Sequence, residues 1–397
     1  MPRVGAPPPP LYDPGYAGDL ARSGRLVRGL LIAMVALVMA AAGLVVLGAI
    51  TSDTGTTGFL IGVALAAVPL PLVIGAFRWL DRYEPEPLGL QLFAFFWGAC
   101  VAALVAAVLN TASVALISGP NKPSEAVLRT AIYVAPWVEE AAKGAAVLLV
   151  VLFRRKEFDG LVDGIVIAGL AGIGFAFTEN ILYFGRAFIT GADELGTSGG
   201  LFAVGATFVL RGVLAPFAHP LFTIATGIGF GLAARSRSAG VKVFLPLTGY
   251  FVAVFLHSMW NTSATHGLGG FLAGYVLIGV PVFAMAVALA LWSRKREGRL
   301  IEAYLPTYVD AGWLEPAEAT MLASLPLRRA AREWAATAGP VGDRAMAAFQ
   351  QGATELAFLR DRAAHGSGGS DFAARERQLL GQLTAARMRL ERLGLPA

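Results

Sequence analysis

The chain is poor in the residues that usually mark reactive or cross-linked proteins. It has one cysteine, Cys100, and four histidines in 397 residues. A single cysteine excludes any disulfide within the chain and any cysteine zinc motif, and its place in an apolar run points to packing rather than thiol chemistry. No HExxH motif is present. Charge is scarce too, with Asp, Glu, Lys and Arg at 15% against 56% hydrophobic residues and a mean hydropathy of +0.63. That balance is too apolar for a water-soluble domain of this length. The formal net charge of +5 sits in loops and tail, so it reports topology and gives no nucleic-acid footprint.

What is present is a series of apolar runs about 20 residues long, the length that crosses a bilayer. Eight are expected: Val27 to Ile50, Phe59 to Leu80, Leu88 to Ile117, Ala126 to Phe153, Leu161 to Ile189, Thr207 to Ala234, Val241 to Ser263 and Phe271 to Trp292. The fold class is therefore an all-α polytopic membrane protein, with residues 27–293 in the bilayer. A Pro-rich N-terminus, 1–26, is expected to be disordered. Residues 294–397, charged and apolar at helical spacing with a Gly/Ser break at Gly366 to Ser370, are expected to form a soluble helical tail. His365, beside that break, reads as a solvated loop residue.

Arginine and lysine cluster at alternate helix ends: Arg22, Arg25 and Arg28, then Arg78 and Arg82, Arg154 to Lys156, Arg235, Arg237 and Lys242, and Arg294 to Arg299. Lys122 and Arg186 are the exceptions. The positive-inside rule then places both termini in the cytoplasm of a multi-pass cell-membrane protein. The bias towards Arg over Lys and the abundance of Ala and Gly point to a high-GC bacterial genome.

Against this background five ionisable residues stand out: Glu139, Glu140, Glu179, His219 and His257. A carboxylate at bilayer depth costs roughly 2.5 to 3.5 kcal/mol on insertion scales, so each is a functional candidate. Counting from the bounding charge or loop of each helix at about 1.5 Å per residue puts Glu139, Glu179, His219 and His257 all at about 22 to 29 Å, in the outer half of the bilayer. Four helices sharing one depth favours a single polar pocket. Pro136, Pro216 and Pro220 predict distorted helices beside it. Polar neighbours lie one turn away: Lys143 from Glu139 and Glu140, Tyr183 from Glu179, Thr223 from His219 and Asn261 from His257, with Asn180 beside Glu179. Gly169, Gly172 and Gly174 read as close helix packing rather than a nucleotide loop, since no strand precedes them. Trp137 and Trp260 read as pocket wall or interfacial anchors.

Taken in order, WVEEAAK at Trp137 to Lys143, FAFTEN at Phe175 to Asn180, HPLFT at His219 to Thr223 and HSMWN at His257 to Asn261 resemble the PrsW family of intramembrane proteases. The DRYEPEP stretch, Asp81 to Pro87, is similar as well. The resemblance spans about Leu80 to Trp292. It is related to the CAAX-type prenyl proteases, whose pattern is EExxxR, FxxxH and HxxxN, but Lys143 comes one residue early and Glu179 stands where those enzymes carry histidine. These departures favour the PrsW branch. The resemblance implies cleavage of a single-pass membrane protein, such as an anti-sigma factor, near the extracytoplasmic face.

Two chemistries fit these residues. Glu179, His219 and His257 supply the two-histidine, one-carboxylate set of a catalytic Zn2+ site with an open fourth position. By analogy with the CAAX enzymes, Glu139 is then the general base and Glu140 pairs with Lys143. In the metal-free version a glutamate activates water directly while His257 and Asn261 donate to the oxyanion. The rival class is a proton-coupled transporter, which predicts internal repeats. The first four spans show no similarity to the last four.

Overall fold

The computed structural model describes residues 14–118, 123–155, 157–158, 160–234, 236–365 and 372–395, with side chains described from residue 29 onward. The expected positive charges at Arg22, Arg25, Arg28, Lys122, Lys156 and Arg235, and the break at Gly366 to Ser370, lie outside what is described. Among the described residues all regular structure is helical.

The membrane part is built from α1 (Pro14–Ala67), α2 (Leu70–Leu80), α3 (Leu88–Phe96), α4 (Ala103–Ile117), α5 (Pro123–Arg129), α6 (Ala135–Phe153), α7 (Leu161–Phe208), α8 (Ala218–Ala234), α9 (Ala239–Thr265), α10 (Gly267–Gly274) and α11 (Val280–Tyr304). Among the described residues, five helical stretches are long and apolar enough to cross a membrane: Gly29–Leu80, Leu88–Ile117, Leu161–Ala234, Ala239–Thr265 and Gly267–Asp310. The first and third, at 52 and 74 residues, far exceed the roughly 20 needed for one crossing. Both are interrupted. α1 breaks at Gly55 (φ 64°) and α7 at Leu195 and Gly196, where φ of 67° reverses the chain so that Gly191 packs on Gly199. α1 starts at Pro14, ahead of the expected Val27, so only residues 1–13 of the expected disordered segment fall outside the description.

The first half of α7 is the spine. Asp163 Oδ2 caps its start by accepting from Gly160 N–H at 2.9 Å, and Val162, Ile165, Val166, Ile167, Ile173 and Ala176 are buried between α2, α3, α6 and α8. Small residues let the backbones touch. A Cβ on Gly164 would run into the carbonyl of Gly227 on α8, and one on Gly174 into that of Phe95 on α3. Gly169 and Gly172 similarly face the Phe77 ring and Pro220, so the glycine series serves close packing.

Wider π turns occupy Trp97–Ala102, Thr130–Val134, Val209–Leu214 and Tyr275–Gly279. Two of them immediately precede Pro136 and Pro216, as the prolines predict. The sixth expected span is therefore not continuous: the helix is interrupted at 215–217, just before His219.

α11 continues from the apolar segment into the tail without a break, so the change at Ser293–Arg294 is one of composition within a helix. α12 (Pro306–Asp310), α13 (Pro316–Ala323), α14 (Leu325–Ala336), α15 (Pro340–Ala364) and α16 (Phe372–Arg392) then pack around Leu305, Leu322, Phe349, Leu356, Leu379 and Leu383. Tyr83, from the loop between α2 and α3, joins this core; its hydroxyl donates to Ala323 O at 3.0 Å. His365 bonds back to Asp361 O at 2.8 Å, as a helix-end residue does.

Candidate active site

Four helices bring the expected residues together. α6 supplies Glu139, Glu140 and Lys143, α7 supplies Glu179, and His219 and His257 come from the start of α8 and the middle of α9. Four of these six are almost wholly enclosed: Glu140 and Lys143 are 0% exposed, His257 2% and Glu139 6%.

Glu140 is the most heavily engaged carboxylate. Its Oε1 accepts from Lys143 Nζ at 2.5 Å and pairs with His257 Nδ1 at 2.9 Å, while Oε2 accepts from the Thr223 hydroxyl at 2.9 Å. A carboxylate on Nδ1 fixes the proton there and leaves His257 Nε2 with a lone pair, the same orientation that carboxylates impose on metal-bound histidines. Lys143 also reaches His219 Nδ1 at 3.2 Å and sits 4.5 Å from the Phe175 ring centre. An ammonium can only donate, so the His219 proton lies on Nε2, which donates to Glu179 Oε2 at 2.8 Å.

Glu139 is arranged differently. Asn110 Nδ2 donates to its Oε1 at 3.2 Å, whereas Oε2 is buried with no hydrogen-bond partner and lies 3.8 Å from His257 Nε2. An orphaned carboxylate oxygen in such a place is costly unless something else binds there. Glu139, His219 and His257 each offer a ligand atom within 4.8 Å of the others, so this group could hold a metal ion. The sequence led us to expect Glu179 as the carboxylate of that set. In the structure Glu179 Oε2 is shared between His219 Nε2 and the Arg211 guanidinium, and Glu139 is the carboxylate that comes within reach of both histidines.

Arg211 is the residue that sequence reasoning overlooked. It also donates to Asn180 Oδ1 at 2.8 Å and lies 4.0 Å from the Tyr183 ring centre, tying the Glu179, Asn180 and Tyr183 stripe into one unit. An arginine inside the run from Thr207 to Ala234 is as anomalous as the glutamates, and that was the available signal. Asn110, a lone amide in α4, is the second omission. Among the described residues no hydrogen bond draws Asn261 into the cluster; its Nδ2 donates to Ala131 O at 2.8 Å and ties α9 to the turn before α6. Trp137 and Trp260 are wall residues: the first stacks edge-on against Tyr250 and Phe251, the second against Phe271 and near Phe222, which in turn stacks on His257.

Residues 86–290 match the family described as PrsW family intramembrane metalloprotease. Among curated proteins the chain is similar to Protease PrsW of Oceanobacillus iheyensis, 27% identical over 237 residues covering 60% of this chain and 96% of that protein. It is also similar to Protease PrsW of Geobacillus kaustophilus, 26% identical over 201 residues covering 50% of this chain and 77% of that protein. No solved structure matches. The match takes in the whole cluster from Glu139 to Asn261 and stops short of the tail, and with more than half the chain inside it, this protein belongs to the PrsW family of intramembrane proteases.

Proposed function

We propose that the chain hydrolyses a peptide bond of a membrane-anchored protein at the cluster of Glu139, Glu140, Glu179, His219 and His257. The observation that carries this reading is the unpartnered Oε2 of Glu139, 3.8 Å from His257 Nε2 in an enclosed site. A carboxylate oxygen free to accept, beside an imidazole nitrogen also free to accept, is what an attacking water needs if its proton is to be taken. Glu140 does not compete for that role, because Lys143, Thr223 and His257 occupy it. Its part is to hold His257 in one tautomer. Lys143 and Glu179 do the same for His219, and Arg211 holds Glu179.

Glu139, His219 and His257, two imidazoles and one carboxylate with an orphaned oxygen, also have the donor chemistry of a zinc site; an ion held through that oxygen would replace Glu139's part as base rather than add to it. An ion bound there would polarise the scissile carbonyl and acidify its water. Both ring nitrogens of His219 are engaged in the observed arrangement, Nδ1 by Lys143 and Nε2 by Glu179, so loading would have to displace one of those partners and move the ring proton.

Eight crossings with both termini cytoplasmic is the topology supported by the two double-length stretches and by the arginines at alternate helix ends. A single-pass regulator such as an anti-sigma factor, cut near the extracytoplasmic face, is the substrate class supported by the family resemblance. The test incubates purified protein with a single-pass membrane substrate, comparing wild type with His219→Ala and His257→Ala, with chelator and with zinc add-back. Loss of cleavage in both variants, and restoration by zinc after chelation, is expected. Full cleavage in either histidine variant contradicts the site; cleavage lost in the variants yet indifferent to chelator assigns the chemistry to the glutamate alone.

A further inference from the structure

Where the apolar helices meet the tail, a cavity of about 540 Å³ is lined by five arginines: Arg78, Arg82, Arg328, Arg329 and Arg332. They arrive from two directions. Arg78 lies in the last turn of α2 and Arg82 in the loop after it, while the other three project from α14 in the tail. Like charges gathered around one space repel, and the carboxylates on the same wall offset them only in part. Asp343 is taken up by Arg332, which forks onto its two oxygens at 2.8 Å each. Asp81 accepts from Glu86 N–H at 2.7 Å, and burial pushes its carboxyl up to about 8, so it is mostly uncharged at neutral pH. Glu333, exposed on α14, is the remaining acid.

Arg328 makes the imbalance concrete. It is 6% exposed, and its guanidinium donates to Thr354 Oγ1 at 2.8 Å and Tyr83 O at 3.0 Å, both neutral acceptors. Among the described residues no carboxylate hydrogen-bonds to it. A buried guanidinium whose hydrogen bonds all go to neutral acceptors is offset only by carboxylates that do not bond to it, Glu84 and Glu297, and stays under-compensated. Arg82 and Arg329 are exposed and have no carboxylate partner among the described residues either.

We propose that this cavity binds a phosphate-bearing anion, supplied by the headgroup of an anionic membrane lipid. Several features favour a lipid over a soluble phosphate. The cavity lies where α2 ends at Leu80 and α3 begins at Leu88, the level at which apolar helices leave the bilayer. Trp79 is exposed beside it, with Arg294 4.0 Å from its ring centre, in the manner of an interfacial anchor. α14 also exposes Leu327 and Trp334, two turns apart on one stripe, which with its arginines makes the pattern of a helix lying in the headgroup layer. A bound headgroup bridges α14 to the loop after α2 and so fastens the tail to the membrane domain. The tail lies outside the matched residues, so this is a property of this chain and is independent of the proteolytic reading.

The test uses the full chain purified in neutral detergent, with short-chain phosphatidylglycerol, short-chain phosphatidylcholine and inorganic phosphate as probes and thermophoresis as the binding readout. Saturable binding of phosphatidylglycerol is expected. Near an anionic surface each basic residue contributes roughly fivefold, so Arg82→Gln with Arg329→Gln weakens binding about thirtyfold. Ala336→Asp, which sets a carboxylate in the cavity wall, weakens it as well. Arg377→Gln with Arg389→Gln, outside the cavity, leaves it unchanged. Equal affinity in wild type and both cavity variants, or equal binding of phosphatidylcholine, overturns the proposal. Arginine-dependent binding of inorganic phosphate without binding of phosphatidylglycerol overturns the lipid source.

Discussion

Lys143→Met tests whether the buried ion pair is structural as well as functional. Lys143 and Glu140 are both 0% exposed and 2.5 Å apart, and among the described residues the carboxylate has two other donors, Thr223 and His257. Removing the lysine leaves a carboxylate charge with no formal cation beside it, a loss of about 3 to 5 kcal/mol for a buried pair. Removing both charges at once, in Glu140→Gln with Lys143→Met, leaves neutral groups that Thr223 and His257 can still reach, so the double variant recovers on the order of 2 kcal/mol of that loss. The single cysteine provides the assay. Cys100 is half-buried facing Gly43 of α1, so pulse labelling with a thiol-reactive dye across a denaturant series reads separation of these helices. If Lys143→Met lies within about 1 kcal/mol of wild type, or if the two losses simply add, the assignment of a strongly coupled pair is wrong.

Other outcomes follow from the same contacts. Gly164→Ala places a methyl against the Gly227 carbonyl and is expected to cost about 1 to 3 kcal/mol by overpacking, read in the same labelling experiment. Arg211→Lys keeps the charge but loses the fork onto Glu179 and Asn180 and the stacking on Tyr183, so proteolysis is expected to fall about 10- to 100-fold with the fold intact; full activity would contradict its positioning role. Burial holds the Asp81 carboxyl at about 8 and that of Glu86 at about 10, so the folded loop binds protons that the unfolded loop releases. Its stabilisation is full below their ordinary carboxylate values and is lost as pH rises through 8 and then 10. Hydrogen exchange at residues 81–87, corrected for the intrinsic rate, is expected to lose protection between pH 6 and pH 9.5; a flat profile contradicts it.

The bilayer makes some of this architecture easy to read. Charge is so unfavourable in an apolar run that Glu139, Glu140, Glu179, His219 and His257 are visible without any structure, and equal depth on four helices follows from a constant rise per residue. The glycines of α7 are legible for a similar reason, since helices in lipid approach closely only through small residues. The partners of each group are harder. Sequence spacing reports neighbours along one helix, whereas Glu140 is held by Thr223 and His257 from two others, and Glu179 by Arg211 across the break in α7. That is why the four-residue spacing pairs Asn261 with His257 although its amide reaches Ala131. It is also why spacing points to Glu179 for the metal set and gives no sign that Glu139 comes within reach of both histidines. Rotation of a helix about its own axis decides which carboxylate faces the pair, and depth alone carries no information on rotation. The break before His219 was half-legible: Pro216 and Pro220 mark distortion, but not that the helix stops.

The most direct test of the account is Glu139→Gln, because this substitution keeps the size of the side chain and its bond to Asn110 while removing the basic lone pair at Oε2. Single-turnover cleavage of a single-pass substrate is measured for wild type and variant at equal folded concentration. Cleavage by the variant is expected to fall by at least the roughly 100-fold typical of a lost general base, with an unchanged unfolding midpoint. Cleavage at the wild-type rate would contradict it.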